Sequence, residues 1–208
     1  MPPASPGAEP RVTVIIVAGG EASRLPRKLE LPVLGIPMIV RVRRALAPIG
    51  ACIVAAREPF AQSIAAAIDA RVVLDDRPGE GPLAALVTAA SFVETPYFFA
   101  AAGDMPGLDA SFAARIVKAA SDASWPDAVV PRWPDGTLEP LAALYATAPW
   151  SAAAAAALRA GRRNVTAALH GLRIAHYPLE TGDAATLANV NTPEDYRRAL
   201  ASVAADAR

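Results

Sequence analysis

The sequence has almost no cysteine and no excess of either charge. Cys52 is the only cysteine among 208 residues, which excludes an intrachain disulfide and a zinc site built from several thiolates. Because Cys52 lies in the apolar run ACIVAA, we expect a buried, unreactive thiol. The 20 basic residues are balanced by 20 acidic ones, so the chain lacks the general positive charge that attracts nucleic acids.

The chain also lacks segments that would direct it to a membrane. Its first residues, MPPASPGAEPR, have neither the basic start nor the long apolar region of a signal peptide. The Ala-rich stretch SAAAAAALRA is broken by Arg159 and falls short of the ~18 consecutive apolar residues of a membrane helix. We therefore expect a soluble cytoplasmic protein, with a disordered leader over residues 1–10 and a single domain over residues 11–208.

Short apolar runs alternate with helical patterns along the first half of the chain. Strands are predicted at Val12–Val17, Ala51–Ala55, Arg71–Leu74 and Tyr97–Ala102, and helices at Met38–Ala47, Pro59–Ile68 and Leu83–Phe92. This βαβαβαβ order with short connections is typical of a three-layer α/β/α sandwich with a mostly parallel, Rossmann-like sheet.

The second half of the chain is less regular. Helices are predicted at Asp109–Ala120, Pro149–Ala160 and Asn164–Leu169 and from Thr192 onward, and strands at Asp127–Pro131, Leu141–Tyr145 and Ile174–Tyr177. The side chains of Asp109 and Thr192 are suited to cap the helices that they precede. Neither an internal repeat nor a convincing linker divides the sequence.

Three polar features each follow a predicted strand of the first half. Gly19-Gly20 follows the first strand, Asp75-Asp76 the third and Asp104 the fourth. Ligands of open α/β sheets bind in the crevice beyond the carboxyl ends of the strands. The coincidence therefore favours a nucleotide site at this edge of the sheet.

The loop after the first strand combines paired glycines with a hydroxyl group and cations. Gly19 and Gly20 allow backbone N–H groups to approach a phosphate closely, and Ser23, Arg24 and Lys28 follow. The spacing matches neither GxGxxG nor GxxxxGK followed by Ser or Thr, so it predicts neither a dinucleotide-binding turn nor a P-loop. We expect a third kind of nucleotide loop.

Asp104 and Lys28 are the residues predicted to support the chemistry. Mg²⁺ takes oxygen ligands, typically one or two carboxylates plus substrate phosphates, so Asp104 is a candidate ligand. Lys28 could neutralise charge on the same phosphates. His170 and His176 are the only histidines, and we expect both to be structural. These residues favour direct attack by a substrate phosphate on the α-phosphorus of a nucleoside triphosphate over covalent catalysis.

Five segments resemble one nucleotidyltransferase family, in a consistent order along residues 12–200. They are VIIVAGGEASRLPRKLELPVLGIPMI, GEGPLAAL, AAGDMPGL, EPLAALY and NVNTPEDY. The first resembles a strand that enters an AGG loop followed by Ser-x-Arg and Lys, and the third resembles a metal-binding CDMP stretch. Together they resemble the molybdenum cofactor guanylyltransferases, MobA-like enzymes that join GMP from GTP to molybdopterin. The resemblance implies a fold of the nucleotide-diphospho-sugar transferase type.

The resemblance implies a role for each matching residue. Lys28 matches the phosphate-binding lysine and Asp104 the Mg²⁺ ligand. Asn189 and Asn191 match paired asparagines on the pterin side, where a capped turn before a helix is an equally good interpretation. Nucleotide contacts are implied for Val17, Ala18, Gly19, Gly20, Ser23, Arg24, Lys28, Gly81, Asp104 and either Asp75 or Asp76. GTP and molybdopterin are the implied substrates, and molybdoenzymes or other proteins of cofactor biosynthesis are the implied partners.

Two segments depart from the family pattern. The run Arg24-Leu25-Pro26-Arg27-Lys28 stands where the family usually has Arg-Met-Gly-x-Asp-Lys, and Ala55-Ala56-Arg57 lacks an asparagine often found there. Because both segments belong to the nucleotide pocket, a cytidylyltransferase of the molybdenum cofactor or an enzyme with another phosphorylated acceptor stays open. A sugar-nucleotide pyrophosphorylase would usually be longer. A non-catalytic relative would not need Lys28 and Asp104, and both are present.

Overall fold

A seven-stranded sheet lies at the centre of the molecule. The computed structural model describes residues 10–18, 25–77 and 79–206. The strands are β1 Val12–Ala18, β2 Pro32–Val33, β3 Ile36–Pro37, β4 Cys52–Ala56, β5 Arg71–Leu74, β6 Tyr97–Ala102, β7 Ala128–Arg132, β8 Ala142–Ala146 and β9 Ile174–Pro178. The order in the main sheet is β5-β4-β1-β6-β8-β7-β9. Every pairing in it is parallel except the two made by β8, so the predicted mostly parallel sheet is confirmed.

Helices cover both faces of this sheet. They are α1 Met38–Ala45, α2 Gln62–Ile68, α3 Pro82–Ala90, α4 Ala110–Asp122, α5 Thr147–Arg159 and α6 Pro193–Asp206. Buried side chains of α1, α2 and α4 belong to the core on one face, and those of α3 and α5 belong to the core on the other. The predicted three-layer α/β/α sandwich is therefore confirmed.

The central strand β1 shows why the sheet is buried on both faces. All seven of its residues are buried, and most are β-branched. Val14 and Ile16 pack into the core beside α1 and α4, whereas Ile15 and Val17 pack into the core beside α3 and α5. Because side chains alternate along a strand, a continuous apolar run fills both cores at once.

A small hairpin between β1 and α1 was not predicted. The sequence suggests a turn over Gly35-Ile36-Pro37, but Ile36–Pro37 is a strand that pairs antiparallel with Pro32–Val33. The turn is at Leu34 and Gly35, with φ angles of 49° and 79°. Positive φ at both central residues is the signature of a tight hairpin turn, and the two-residue ladder was too short to show an alternating pattern.

The final helix α6 packs against this hairpin. Val33 and Met38 form a small buried cluster with Val190 and with Ala199 and Val203 of α6. This cluster lies outside the two main cores. It fixes the position of the segment that leads into α6, and that segment carries two of the predicted site residues.

Other predicted boundaries shift by only a few residues, and one of these shifts affects the site. The helix predicted from Pro59 begins at Gln62, and residues 57–60 form a loop beyond β4. The predicted cap at Asp109 is confirmed, since its Oδ1 accepts a hydrogen bond of 2.9 Å from the Phe112 N–H.

Among the described residues, no helix is both long and apolar enough to cross a bilayer.

A cluster of three aromatic side chains anchors α5 on the sheet. Phe98, Tyr145 and Trp150 are fully buried. The rings of Phe98 and Trp150 meet edge to face, with centroids 5.1 Å apart and planes at 83°. The indole Nε1 of Trp150 has no hydrogen-bond partner within the described part of the chain, so this residue stabilises the fold through its ring contacts.

We expect Trp150→Ala to lower the free energy of unfolding by about 3–5 kcal/mol, the range for removing a large buried aromatic. Trp150→Phe should cost much less, because most ring contacts remain and no hydrogen bond is lost. Urea unfolding of the two variants beside the wild type measures both changes. An equal loss in the two variants would contradict the account that the retained ring contacts stabilise the fold.

Candidate active site

A cavity of about 300 Å³ opens at the carboxyl ends of the central strands. The register pairs Ala18 with Ala56 and Val17 with Ala102, so the ends of β4, β1 and β6 lie side by side. The residues that line the cavity come from the ends of β1 and β6, from the segments after β1, β4 and β6, from the start of α3, from the residue before β8 and from the segment before α6: Val17, Ala18, Arg27, Lys28, Leu29, Glu30, Arg57, Glu58, Pro59, Phe60, Pro82, Ala102, Asp104, Leu141, Asn189 and Asn191. The cavity is where the parallel sheet predicts a ligand site.

Lys28 and Asp104 form an ion pair in this cavity. Lys28 Nζ lies 2.5 Å from Asp104 Oδ2, and the two side chains are only 11% and 17% exposed. The residues are 76 positions apart in sequence. Partial burial weakens solvent screening, so this contact is stronger than a typical surface ion pair. The two residues predicted to support the chemistry are therefore in direct contact.

The position of Asp104 depends on the glycine before it. A Cβ on Gly103 would lie 3.1 Å from Ile39 Cδ1 and 3.2 Å from the carbonyl oxygen of Val17. The Gly103 N–H donates to that same carbonyl at 2.9 Å. A side chain at position 103 would push these neighbours apart, so glycine favours the close approach of the β6 end to β1 that brings the Asp104 carboxylate over the end of the sheet.

The asparagine segment before α6 reaches the same point. Asn191 Oδ1 accepts a hydrogen bond of 2.7 Å from Lys28 Nζ, and both Asn189 and Asn191 line the cavity. Val190 between them is buried, and its N–H donates to the carbonyl oxygen of Asp104 at 2.9 Å. Along this segment Val190 therefore points into the protein, and the amides of Asn189 and Asn191 on either side of it point toward the cavity.

The start of α6 is capped by residues other than these asparagines. Thr192 Oγ1 accepts from the Asp195 N–H at 3.1 Å, and Asp195 Oδ2 accepts from the N–H groups of Thr192 and Asn191. The side chain of Thr192, followed by the backbone N–H of Asn191, lowers the pKa of the Asp195 carboxyl. The side chains of Thr192 and Asp195 do the capping, so the Asn191 amide is available to Lys28.

The approach of the chain to Lys28 is also fixed. Arg27 has a left-handed backbone with φ of 51°, and its guanidinium makes two hydrogen bonds of 2.7 and 2.8 Å to the Glu30 carboxylate. This contact and the charge of Glu30 raise the pKa of Arg27. The ion pair closes the short helical turn Lys28–Glu30 that presents Lys28 to the cavity.

Several predicted residues do not line this cavity. Asp75 and Asp76 follow β5 at the same edge of the sheet, but Asp75 Oδ1 accepts a hydrogen bond from the Arg77 N–H at 2.9 Å and so stabilises a turn. Gly81 has φ of 84°, and a Cβ there would lie 2.9 Å from the Arg163 carbonyl oxygen. The nucleotide contacts of Asp75, Asp76 and Gly81 remain predictions. Gly19, Gly20, Ser23 and Arg24 lie outside the described residues, as does the predicted leader apart from Pro10.

Sequence reasoning assigned Arg57 to the nucleotide pocket but missed the rest of the loop after β4. Arg57, Glu58, Pro59 and Phe60 all line the cavity, whereas the sequence analysis assigned part of this stretch to a helix. The signal was available, because residues after a central parallel strand lie at the ligand-binding edge of the sheet. The loop supplies both charged and apolar groups on the side of the cavity away from Asp104.

The remaining candidate nucleophiles lie elsewhere. Cys52 is buried in β4, and burial raises the pKa of its thiol to about 12. His170 follows the short helix Val165–Leu169, and His176 lies in β9. None of the three lines the cavity, in agreement with their predicted structural positions.

The side-chain oxygen atoms of the cavity can be compared with the ligands that Mg²⁺, the metal implied by the resemblance, requires. No group of three or more His, Cys, Asp or Glu side chains comes together to hold a metal within residues 10–18, 25–77 and 79–206. The cavity offers the Asp104 carboxylate and the side-chain amides of Asn189 and Asn191. Such a set fits Mg²⁺ only when phosphate oxygens and water complete the coordination, which is the usual manner of Mg²⁺ binding in nucleotide enzymes.

Comparison with known proteins identifies relatives across most of the chain. Residues 14–173 match the MobA-like NTP transferase domain family. A protein of Natronomonas pharaonis named "Probable molybdenum cofactor guanylyltransferase" is 35% identical over 199 residues, covering 90% of this chain and 96% of that protein. A protein of the same name from Chloroflexus aggregans is 34% identical over 140 residues, covering 62% of this chain and 64% of that protein.

Solved structures show the same architecture. The molybdopterin-guanine dinucleotide biosynthesis protein A of Archaeoglobus fulgidus superposes with a TM-score of 0.78 at 24% identity, over 93% of this chain and all of that one. A cytidylyltransferase of Thermus thermophilus that acts on 2-C-methyl-D-erythritol 4-phosphate superposes with a TM-score of 0.69 at 19% identity, over 93% and 99% of the two chains. The match of residues 14–173, together with the extent of the identity, shows that the chain belongs to the MobA-like NTP transferase family and is a nucleotidyltransferase.

Proposed function

We propose that this protein transfers GMP from GTP to molybdopterin and releases pyrophosphate. The observation that carries the proposal is the position of Lys28 Nζ between the Asp104 carboxylate and the Asn191 amide oxygen, at 2.5 and 2.7 Å. A cation and a carboxylate thus meet an amide at the edge of the sheet where a nucleotide binds. The name shared by the relatives from N. pharaonis and C. aggregans supports the choice of substrates.

The reaction is a single displacement at the α-phosphorus of GTP. An oxygen of the molybdopterin phosphate forms a new P–O bond there, and the bond to the β-phosphate oxygen breaks as pyrophosphate leaves. This displacement needs no covalent enzyme intermediate. The protein therefore has to position the two reacting phosphates and stabilise their charge. This agrees with a cavity that none of Cys52, His170 and His176 lines.

Lys28 has to change partners when the nucleotide enters. Its ammonium group neutralises Asp104 in the free protein, and the more highly charged triphosphate offers a stronger set of acceptors. We infer that Lys28 turns toward the β- and γ-phosphates and leaves Asp104 with a free oxygen. Asp104 would then hold Mg²⁺ together with phosphate oxygens, and the bound metal would supply neutralisation of the charge that builds up on the leaving pyrophosphate.

The asparagines are the candidates for the acceptor side. Asn189 and Asn191 line the cavity beside Asp104, and an amide side chain can both donate and accept hydrogen bonds. Polar groups of a pterin present the same mixture. The buried Val190 between them holds the two amides at a fixed separation, so they can orient the acceptor phosphate toward the α-phosphorus. We place this reaction in the cytoplasm, with molybdoenzymes or cofactor-biosynthesis proteins receiving the product.

A transfer assay tests the proposal. The purified protein, incubated with molybdopterin and Mg²⁺, should form the guanine dinucleotide of the cofactor from GTP, detected by mass spectrometry together with released pyrophosphate. Parallel reactions with CTP, ATP and UTP should give little product. Formation of the cytosine dinucleotide would keep the fold and chemistry but contradict the proposed substrate, and no product from any nucleotide would contradict the proposed transfer.

The same assay defines the role of Asp104. Asp104→Asn keeps the shape of the side chain but removes its charge, so we expect Mg²⁺-dependent turnover to fall to background while the circular dichroism spectrum stays unchanged. Removal of Mg²⁺ with a chelator should have the same effect on the wild type. Full activity in Asp104→Asn would remove this carboxylate from the mechanism.

Lys28→Ala should weaken GTP binding by about 1.5–3 kcal/mol, the range for a hydrogen bond to a charged group, or roughly 10- to 150-fold in affinity. Calorimetric titration measures the change. Lys118→Ala is the matched control, because Lys118 is an exposed lysine of α4 that pairs with Asp122 and its loss changes the net charge equally. An unchanged affinity in Lys28→Ala would assign the phosphates to Arg24 or Arg27.

A further inference from the structure

Six charged side chains line the cavity, and four of them form two ion pairs. Lys28 pairs with Asp104 and Arg27 pairs with Glu30. The other two, Arg57 and Glu58, are adjacent in the loop after β4. The charge of Glu58 makes the smallest contribution to the raised pKa of Arg27, but within the described residues neither Arg57 nor Glu58 forms a salt bridge. A carboxylate that lines a binding cavity without such a partner is available to accept hydrogen bonds from a ligand.

Glu58 lies across β1 from Asp104, the carboxylate that pairs with Lys28. It follows β4, Asp104 follows β6, and β1 lies between the two strands. Two strand spacings separate the ends of β4 and β6 by roughly 10 Å. A nucleoside triphosphate whose phosphates lie at Lys28 and Asp104 can extend over the end of β1 and place its base near Glu58.

The surroundings of Glu58 suit a flat heterocycle. Pro59, Phe60 and Pro82 also line the cavity, and they offer apolar surface to a base. Phe60 also packs against the core beneath it, so its ring is held in place. Apolar walls around a few polar groups are typical of small-molecule sites.

Hydrogen-bond chemistry then selects among the bases. An ionised carboxylate is an acceptor only, and it accepts two parallel hydrogen bonds best. Guanine presents two adjacent donors, N1–H and the N2 amino group. Adenine and cytosine place an acceptor nitrogen beside their amino group, and uracil flanks its single N–H with two carbonyl oxygens. Of the four bases, only guanine matches a carboxylate with two donors.

We propose that the Glu58 carboxylate accepts hydrogen bonds from N1–H and the N2 amino group of guanine and thereby makes the enzyme selective for GTP. This inference rests on the proposed function, because it assigns the base specificity of the same site. It also explains how guanine can be recognised although Ala55, Ala56 and Arg57 carry no asparagine. The neighbouring residue supplies an acceptor of greater strength.

GTP and ITP together test this contact, since ITP lacks only the N2 amino group. Calorimetric titration of the wild type should give an affinity for GTP about 10-fold or more above that for ITP, the effect of losing one charge-assisted hydrogen bond. Glu58→Ala should lower the affinity for GTP by roughly 10- to 150-fold and reduce the GTP-to-ITP ratio to near 1. Because Glu58 is exposed, we expect the variant to fold normally.

Glu94→Ala is the matched control, because Glu94 is an exposed glutamate that does not line the cavity. It removes the same charge and should keep the wild-type GTP-to-ITP ratio. If the wild type prefers GTP and Glu58→Ala keeps that ratio, the assignment of Glu58 is wrong while the proposed function stands. If the wild type shows no preference for GTP over CTP, ATP and UTP, the proposed function and the assignment are both overturned.

Discussion

The ion pair between Lys28 and Asp104 is the interaction on which the site depends. It joins the loop after β1 to the end of β6, and the hydrogen bond from Lys28 to Asn191 adds a segment 163 residues away in sequence. An ammonium and a carboxylate this poorly exposed would each be costly without a partner. The pair holds both side chains in place, and we propose that it does so until a triphosphate offers Lys28 better acceptors.

The fold explains how these distant segments meet. Parallel strands direct their carboxyl ends to one edge, and Gly103 lets the end of β6 lie directly against β1. The last helix then packs on the hairpin Pro32–Pro37 through Val190 and its neighbours, which brings Asn189 and Asn191 to the same edge. Each half of the proposed substrate site thus rests on a buried cluster, and the cavity between them is open to the nucleotide.

Much of this could be predicted from the sequence, for identifiable reasons. The strands Arg71–Leu74 and Tyr97–Ala102 have the predicted bounds, because continuous apolar runs bounded by turn residues leave few alternatives. Lys28 and Asp104 were chosen for their chemistry after a predicted loop and strand. The contact with Asn191 could not be predicted without the packing of α6. Arg57 was assigned to the pocket, but the lining positions of Glu58, Pro59 and Phe60 were missed because Pro59 also suits the start of a helix. The nucleotide contact of Asp75 or Asp76 stays a prediction, and neither residue lines this cavity.

The most direct test of this account is a crystal structure of the protein with Mg²⁺ and a GTP analogue that cannot release pyrophosphate. We expect the triphosphate to lie in the cavity, with Lys28 Nζ within hydrogen-bond distance of phosphate oxygens and the Asp104 carboxylate beside the α-phosphate. The ion pair of the free protein should then be broken or lengthened. A nucleotide bound elsewhere, with the Lys28–Asp104 contact still at 2.5 Å, would contradict the account.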